Sequence, residues 1–149
     1  MSGERVLGVD LGGRRIGVAV SDTTGTLASP LTVIQRSGDR DTDHRALAGI
    51  ARAEQAQRIV VGLPLSLSGA VGPAARDVIE EVEAMAAVVG IPVETYDERL
   101  TTVEANRSML ALKVPARARR RAIDKVAAAV MLQSWLEVRA GATRRTAPR

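Results

Sequence analysis

The chain has 149 residues, 46% of them hydrophobic, which suits one domain of ordinary size with a proper core. It has no cysteine and a single histidine, His44. That excludes disulfides, thiolate nucleophiles and zinc–thiolate sites, sets aside serine–histidine triads and multi-histidine metal sites, and leaves acid–base and metal chemistry mainly to Asp and Glu. The net charge is +4 and the pI about 10.6. No apolar run reaches membrane-spanning length, and the opening MSGERVLGVD lacks a signal-peptide core, so a cytoplasmic, bacterial-type protein is expected.

In chain order, Val6 to Asp10 reads as a short buried strand. Leu11-Gly12-Gly13-Arg14 is a turn in which glycine is expected at positive φ. Arg15 to Ser21 alternates and is β-branched, a second strand paired with the first as a hairpin. Asp22 to Gly25 is another turn, and Leu31 to Ile34 a third strand. The pattern then changes. Asp43 is expected to cap a helix from about Arg45 to Gln55, with His44 solvated in its first turn. Arg58 to Gly62 is apolar throughout, as in the middle of a parallel sheet. A loop from Leu63 to Pro73 leads to a helix carrying Ala75, Val78, Ile79, Val82, Met85, Ala86 and Val89 on one stripe and ending near Gly90. Ile91 to Asp97 is the fifth strand. A short helix is expected over Val103 to Leu112, with Thr101 and Thr102 as candidate caps. Pro115 suits the first turn of a long last helix reaching about Arg139, which Gly141 ends.

These elements predict a single RNase H-like domain over residues 1–140 and a disordered basic tail over 141–149. The expected fold is α/β: a five-stranded mixed sheet, an antiparallel β1-β2-β3 meander followed by αβαβα, with helices on both faces. A plain doubly wound sheet would not begin with a meander.

Three acidic positions carry the chemistry. Asp10 stands where an apolar strand meets a glycine turn; the plainer reading is a turn hydrogen bond. Asp97 and Glu98 are adjacent in extended chain and point to opposite faces, so one of them meets Asp10, and parity does not say which. The plainer reading there is a salt bridge to Arg99. Asp124 begins a stripe of Ala127, Ala128, Met131, Leu132, Trp135 and Leu136 at helical spacing, so it lies on the face that packs on the sheet. A carboxylate beside a core destabilises by several kcal/mol, on the order expected for a stranded charge, unless a cation offsets it. Pairing with Arg117, Arg120 or Arg121 would do so. A divalent ion would as well: magnesium prefers oxygen ligands and takes few carboxylates from the protein. Two such ions flanking a phosphodiester can activate water and stabilise the leaving oxygen, with no need of His or Cys.

The arginine-dominated basic residues have a plain reading, a GC-rich genome, and a sharper one, a polyanionic partner. Of 21, only Lys113 and Lys125 are lysine, and arginine grips phosphate with a planar fork. The two aromatics, Tyr96 and Trp135, are too few for a base-stacking platform, so nucleic acid would be held mainly by its phosphate backbone. Arg14, Arg99, Arg117, Arg120 and Arg121 are candidate phosphate contacts. Gly62 and Pro64, in a loop leading to a helix N-terminus, are further candidates for the substrate site.

The segments Asp10 to Gly17 (DLGGRRIG), Val61 to Leu65 with Gly69 and Gly72-Pro73, Asp97 to Thr102 (DERLTT), and Asp124 to Ala128 with Leu132-Gln133 resemble the YqgF/RuvX family over about residues 4 to 138. The resemblance implies an RNase H-like fold related to RuvC-type Holliday junction resolvases. It also implies a metal-dependent endonuclease that matures the 5′ end of pre-16S ribosomal RNA, or resolves four-way DNA. By position, the acidic set it implies is Asp10, Glu98 (or Asp97) and Asp124, with Mg2+ or Mn2+ held by Asp10, Glu98 and Asp124. A monomer or weak homodimer is expected. Two rival classes remain: an ATP-binding fold of the sugar-kinase, actin and Hsp70 type, suggested by the DLGG turn, and a non-catalytic nucleic-acid-binding module using the arginine face.

Overall fold

The computed structural model describes residues 3–101 and 116–146, with side chains of the last segment described from 123 to 141. The described residues form five strands: β1 (Val6–Leu11), β2 (Arg15–Ser21), β3 (Ala28–Gln35), β4 (Arg58–Leu63) and β5 (Val93–Asp97). Among the described residues three helices join them: α1 (Arg40–Ala53), α2 (Pro73–Val89) and α3 (Ala116–Thr146). The sheet order is β3-β2-β1-β4-β5. The first three strands form the expected antiparallel meander, and β4 and β5 run parallel to β1.

The sheet separates two cores. On one face Leu7, Val9, Ile16, Val18, Ile59 and Val61 meet Leu47 and Ala51 of α1 and Val78, Met85 and Val89 of α2. On the other, Val6, Ala19, Val60 and Tyr96 meet Ala128, Met131, Leu132 and Leu136 of α3. Alternate residues of each strand therefore serve opposite layers, which explains why β1 and β4 are apolar almost throughout. Helices cover both faces, as expected.

α1 begins earlier than the apolar spacing indicates. Asp39, not Asp43, is its N-cap, accepting from Thr42 N at 3.2 Å and Thr42 Oγ1 at 2.6 Å. Asp43 is buried instead and accepts from Ser37 N at 3.0 Å. His44 is not solvated: it is 1% exposed and bonded to Glu81. β3 is twice as long as the apolar run suggests and takes in Pro30, tolerated on this edge strand beside a bulge at Val18/Ala19. Neither Gly12 nor Gly13 has positive φ. Gly12 is required for a different reason: a Cβ there would lie 2.6 Å from the Arg15 carbonyl oxygen, which accepts the Gly12 N–H. α3 does not stop at Gly141 but continues to Thr146. The expected helix over 103–112, Thr102 and the last three residues of the basic tail lie outside the described residues. Among those described, no helix is long and apolar enough to cross a membrane.

Candidate active site

The site lies at the carboxyl ends of β1, β4 and β5, on the face covered by α3. Asp10 follows Val6 and Gly8 in strand alternation and so shares their side of the sheet, facing α3. Its neighbour across β2 is Gly17. A Cβ on Gly17 would collide with the Asp124 carbonyl oxygen, and one on Gly8 would sit 2.7 Å from Leu132 Cβ. These two glycines let α3 lie directly on β1 and β2, which sets the Asp124 backbone against Gly17, the strand neighbour of Asp10. Gln133 fixes the helix along its length, accepting from Ala28 N at 2.8 Å and donating to Thr26 O at 3.0 Å.

On the other flank, Gly62 of β4 occupies the same face as Val60. A Cβ there would lie 2.5 Å from Glu98 Oε1, so the Glu98 carboxylate rests on the bare backbone of Gly62. The chain turns at once after β5 into a 3-10 turn over Glu98–Leu100. Thr101 closes that turn on the Glu98 carbonyl through its hydroxyl at 2.9 Å and its N–H at 3.1 Å. Ser134 of α3 holds it against the helix, sharing a 2.8 Å hydrogen bond with the Tyr96 hydroxyl and donating to Leu100 O at 3.2 Å. Glu98, Asp10 and Asp124 are thus ranged over β4, β1 and β2 on one face. Among the described residues, however, no group of three or more His, Asp or Glu side chains is arranged so that it could hold a metal ion as it stands.

Asp97 and Glu98 are separated by geometry. Asp97 points away from Glu98, caps the 3-10 turn by accepting from Arg99 N at 3.0 Å, and takes the Arg99 guanidinium through Nη2 at 2.7 Å and Nε at 3.1 Å. That guanidinium bond, reinforced by the backbone N–H and opposed by desolvation, holds Asp97 below the ordinary aspartate value. Arg99 also donates to Leu67 O at 3.3 Å, so it pins the β4–α2 loop to the end of β5. Gly69, at φ 87°, lets that loop pass within contact of the same guanidinium. The clasp on Asp97 and the loop leave Arg99 less available for phosphate than the sequence suggests.

Arg14 is exposed in the β1–β2 turn. Arg117, Arg120 and Arg121 fall in the first turns of α3, and their side chains lie outside the described residues. Pro64 lines a cavity of about 460 Å3 with Gly12, Gly13, Arg36, Arg40 and Glu81, on the α1 and α2 side.

Sequence reasoning missed Arg15. Its Nε donates to Asp124 Oδ2 at 2.6 Å, with both side chains about three-quarters buried. The signal was available: Arg15 stands two residues before Gly17 and therefore on the α3 face. Also missed was a buried ionic cluster on the opposite face, where Glu81 of α2 meets Arg36 and His44.

A five-stranded sheet of this order, with an acid ending the first strand and the last helix laid across it, defines an RNase H-like fold. RuvC from Thermus thermophilus in complex with a Holliday junction substrate superposes with a TM-score of 0.55 at 19% identity, covering 92% of this chain and 96% of that one. The family model for RuvX, described as Holliday junction resolvase, matches residues 4–138, and the chain belongs to that family. Relatives named "Putative pre-16S rRNA nuclease" include one from Mycobacterium sp. (strain KMS), 45% identical over 93% of this chain and 82% of the relative. Another, from Roseiflexus sp. (strain RS-1), is 46% identical over 89% of this chain and 94% of its own length.

Proposed function

We propose that this protein is a divalent-metal-dependent endonuclease that hydrolyses phosphodiester bonds in structured nucleic acid, with the 5′ end of pre-16S ribosomal RNA as its first substrate. The observation that carries the reading is that Asp10, by strand alternation, Glu98, over the bare backbone of Gly62, and Asp124, over Gly17, share the face of the sheet covered by α3. Membership of a family described as a resolvase, with relatives named as rRNA nucleases, supports the reaction class.

The donor set fits a hard cation. All three groups offer carboxylate oxygen, with neither imidazole nor thiolate beside them, which suits Mg2+ or Mn2+. Asp124 already meets a positive charge, the Arg15 guanidinium, so the pocket is one in which carboxylate is neutralised rather than left bare. Asp10, Glu98 and Asp124 would hold the metal, which when bound would sharpen the acidity of a water and draw charge from the phosphoryl oxygens. Asp97, clasped by Arg99, would support Glu98 by fixing the turn. Arg15, released from Asp124, would be free to meet a phosphate oxygen, and Arg14 would add an exposed guanidinium beside it. Arg117, Arg120 and Arg121 remain candidates for the same backbone.

A second reading, resolution of four-way DNA, is favoured by the family description. It requires two active sites acting together, hence a dimer. Purified protein offered a pre-16S rRNA fragment and a four-way DNA junction, with and without magnesium, separates the two. Cleavage of the RNA alone by a monomer supports the first reading, and paired cuts in the junction by a dimer support the second. Metal-independent cleavage, or none of either substrate, contradicts the proposal.

A further inference from the structure

The buried charges on the far side of the sheet have no part in the acidic site, yet they touch the turn that leads from it. Glu81 occupies a core position on the inner stripe of α2 and is 3% exposed. Its oxygens take a forked pair of bonds from Arg36, Nη1 to Oε2 at 2.6 Å and Nη2 to Oε1 at 3.0 Å. His44 Nε2 reaches the same Oε2 at 2.8 Å, and Asp43 stands 3.8 Å from Arg36 Nη1. Replacing such a buried cluster by apolar side chains of similar volume is often neutral or stabilising, so stability alone is a weak reason for it.

The rest of Arg36 gives a better one. Its Nε donates to the Gly12 carbonyl at 3.0 Å, and its backbone N–H donates to the Arg14 carbonyl at 2.9 Å. The turn it holds contains Gly12 and Gly13, which have no side chains of their own to anchor it. Asp10 precedes that turn and Arg15 follows it. A planar guanidinium supplies the three directed donors required, two for Glu81 and one for Gly12; an ammonium cannot reproduce that fork.

We infer that Arg36, gripped by Glu81, which His44 also bonds, is a positioning residue for the acidic site: from the opposite layer it fixes the Gly12–Arg15 turn and thereby sets Asp10 and Arg15. This rests on the nuclease reading for its catalytic consequence, but the anchoring itself does not.

The test compares wild type with Arg36→Lys and with the double variant Arg36→Met/Glu81→Gln. The double variant removes both charges and keeps an acceptor for His44. Each is measured at a temperature where circular dichroism shows it folded. The expected result is a fall in kcat of about 10- to 100-fold at nearly constant KM in both variants, as for a slightly misplaced catalytic group. The Gly12 amide should exchange with solvent about 10-fold faster, following local loosening of the turn. Wild-type kcat and wild-type exchange in the double variant would overturn the inference, because the cluster would then serve the core alone. If wild type cleaves nothing, the nuclease reading falls, and the exchange rate at Gly12 still decides whether Arg36 holds the turn.

Discussion

Arg15 Nε donates to Asp124 Oδ2 at 2.6 Å, joining the first residue of β2 to the start of the described side chains of α3 across 109 positions of sequence. The pair stands on the face that carries Asp10, so a cation of the protein itself already meets Asp124. Any metal at this carboxylate must share it with Arg15 or displace it.

That competition is measurable. A partly exposed ion pair is worth up to about 1 kcal/mol. Arg15→Met should therefore lower the Mn2+ concentration needed to half-saturate the free protein by roughly 2- to 5-fold in calorimetry, following the same energy scale. The same variant should bind nucleic acid more weakly. Unchanged metal affinity would show that Asp124 takes no part in holding the ion.

The two glycines flanking Asp10 should respond differently to alanine. At Gly17 the new methyl meets backbone, the Asp124 carbonyl, which cannot turn aside. Gly17→Ala should destabilise by about 3 kcal/mol, the upper range for overpacking. At Gly62 it meets the flexible end of Glu98. Gly62→Ala should cost under about 1.5 kcal/mol, within the range of tolerated swaps, yet displace Glu98 and reduce kcat. Urea unfolding and steady-state cleavage on both variants check the contrast, and a reversed order would contradict the packing described.

Asp97 and Glu98 should separate in the same way. Glu98→Gln is expected to remove cleavage. Asp97→Asn, which loses the Arg99 clasp and weakens the 3-10 turn, should leave a reduced rate, about 10-fold down by analogy with other misplaced groups. Loss of all activity from Asp97→Asn with Glu98→Gln still active would exchange their roles.

Glu81 ties stability to pH. Burial pushes its carboxyl up, but hydrogen bonds from Arg36 and His44 and the charges of Arg36 and Arg40 outweigh it, and the folded value lies below the ordinary 4.5. A lowered value means the folded state favours the ionised form. That stability is present above the unfolded value and is lost as pH falls through the folded one. Wild type should thus lose stability on acidification below 4.5, and Glu81→Gln should lose less. Urea midpoints at pH 7 and at a pH below 4 supply the comparison; equal losses would mean that Glu81 is not held ionised by Arg36.

The succession of elements and the opening meander are legible because hydrophobic period and turn chemistry agree along β1, β2, β4 and β5; the spatial order of the strands is not. Asp124 was legible because the apolar stripe after it points the same way. Other features depend on partners distant in sequence. Glu81 interrupts the apolar stripe of α2, and a charge in such a position reads as a solvated edge until Arg36 and His44 are seen to meet it. His44 was misjudged for the same reason. The start of α1 was misplaced because Asp39, Asp41 and Asp43 all compete as caps, and only the bonds of Thr42 to Asp39 decide among them. Parity does not tell Asp97 from Glu98, because the run leading to them is apolar on both faces; the 3-10 turn that begins at Glu98 then ends the strand's alternation.

The most direct test of the account is metal-dependent cleavage by Asp10→Asn, Glu98→Gln and Asp124→Asn, run beside wild type on the pre-16S rRNA fragment and the four-way junction. The account predicts that each variant loses cleavage of whichever substrate wild type cuts, while still binding it in a gel-shift assay at low salt. Wild-type cleavage rates from both Asp10→Asn and Asp124→Asn across a magnesium titration would contradict it.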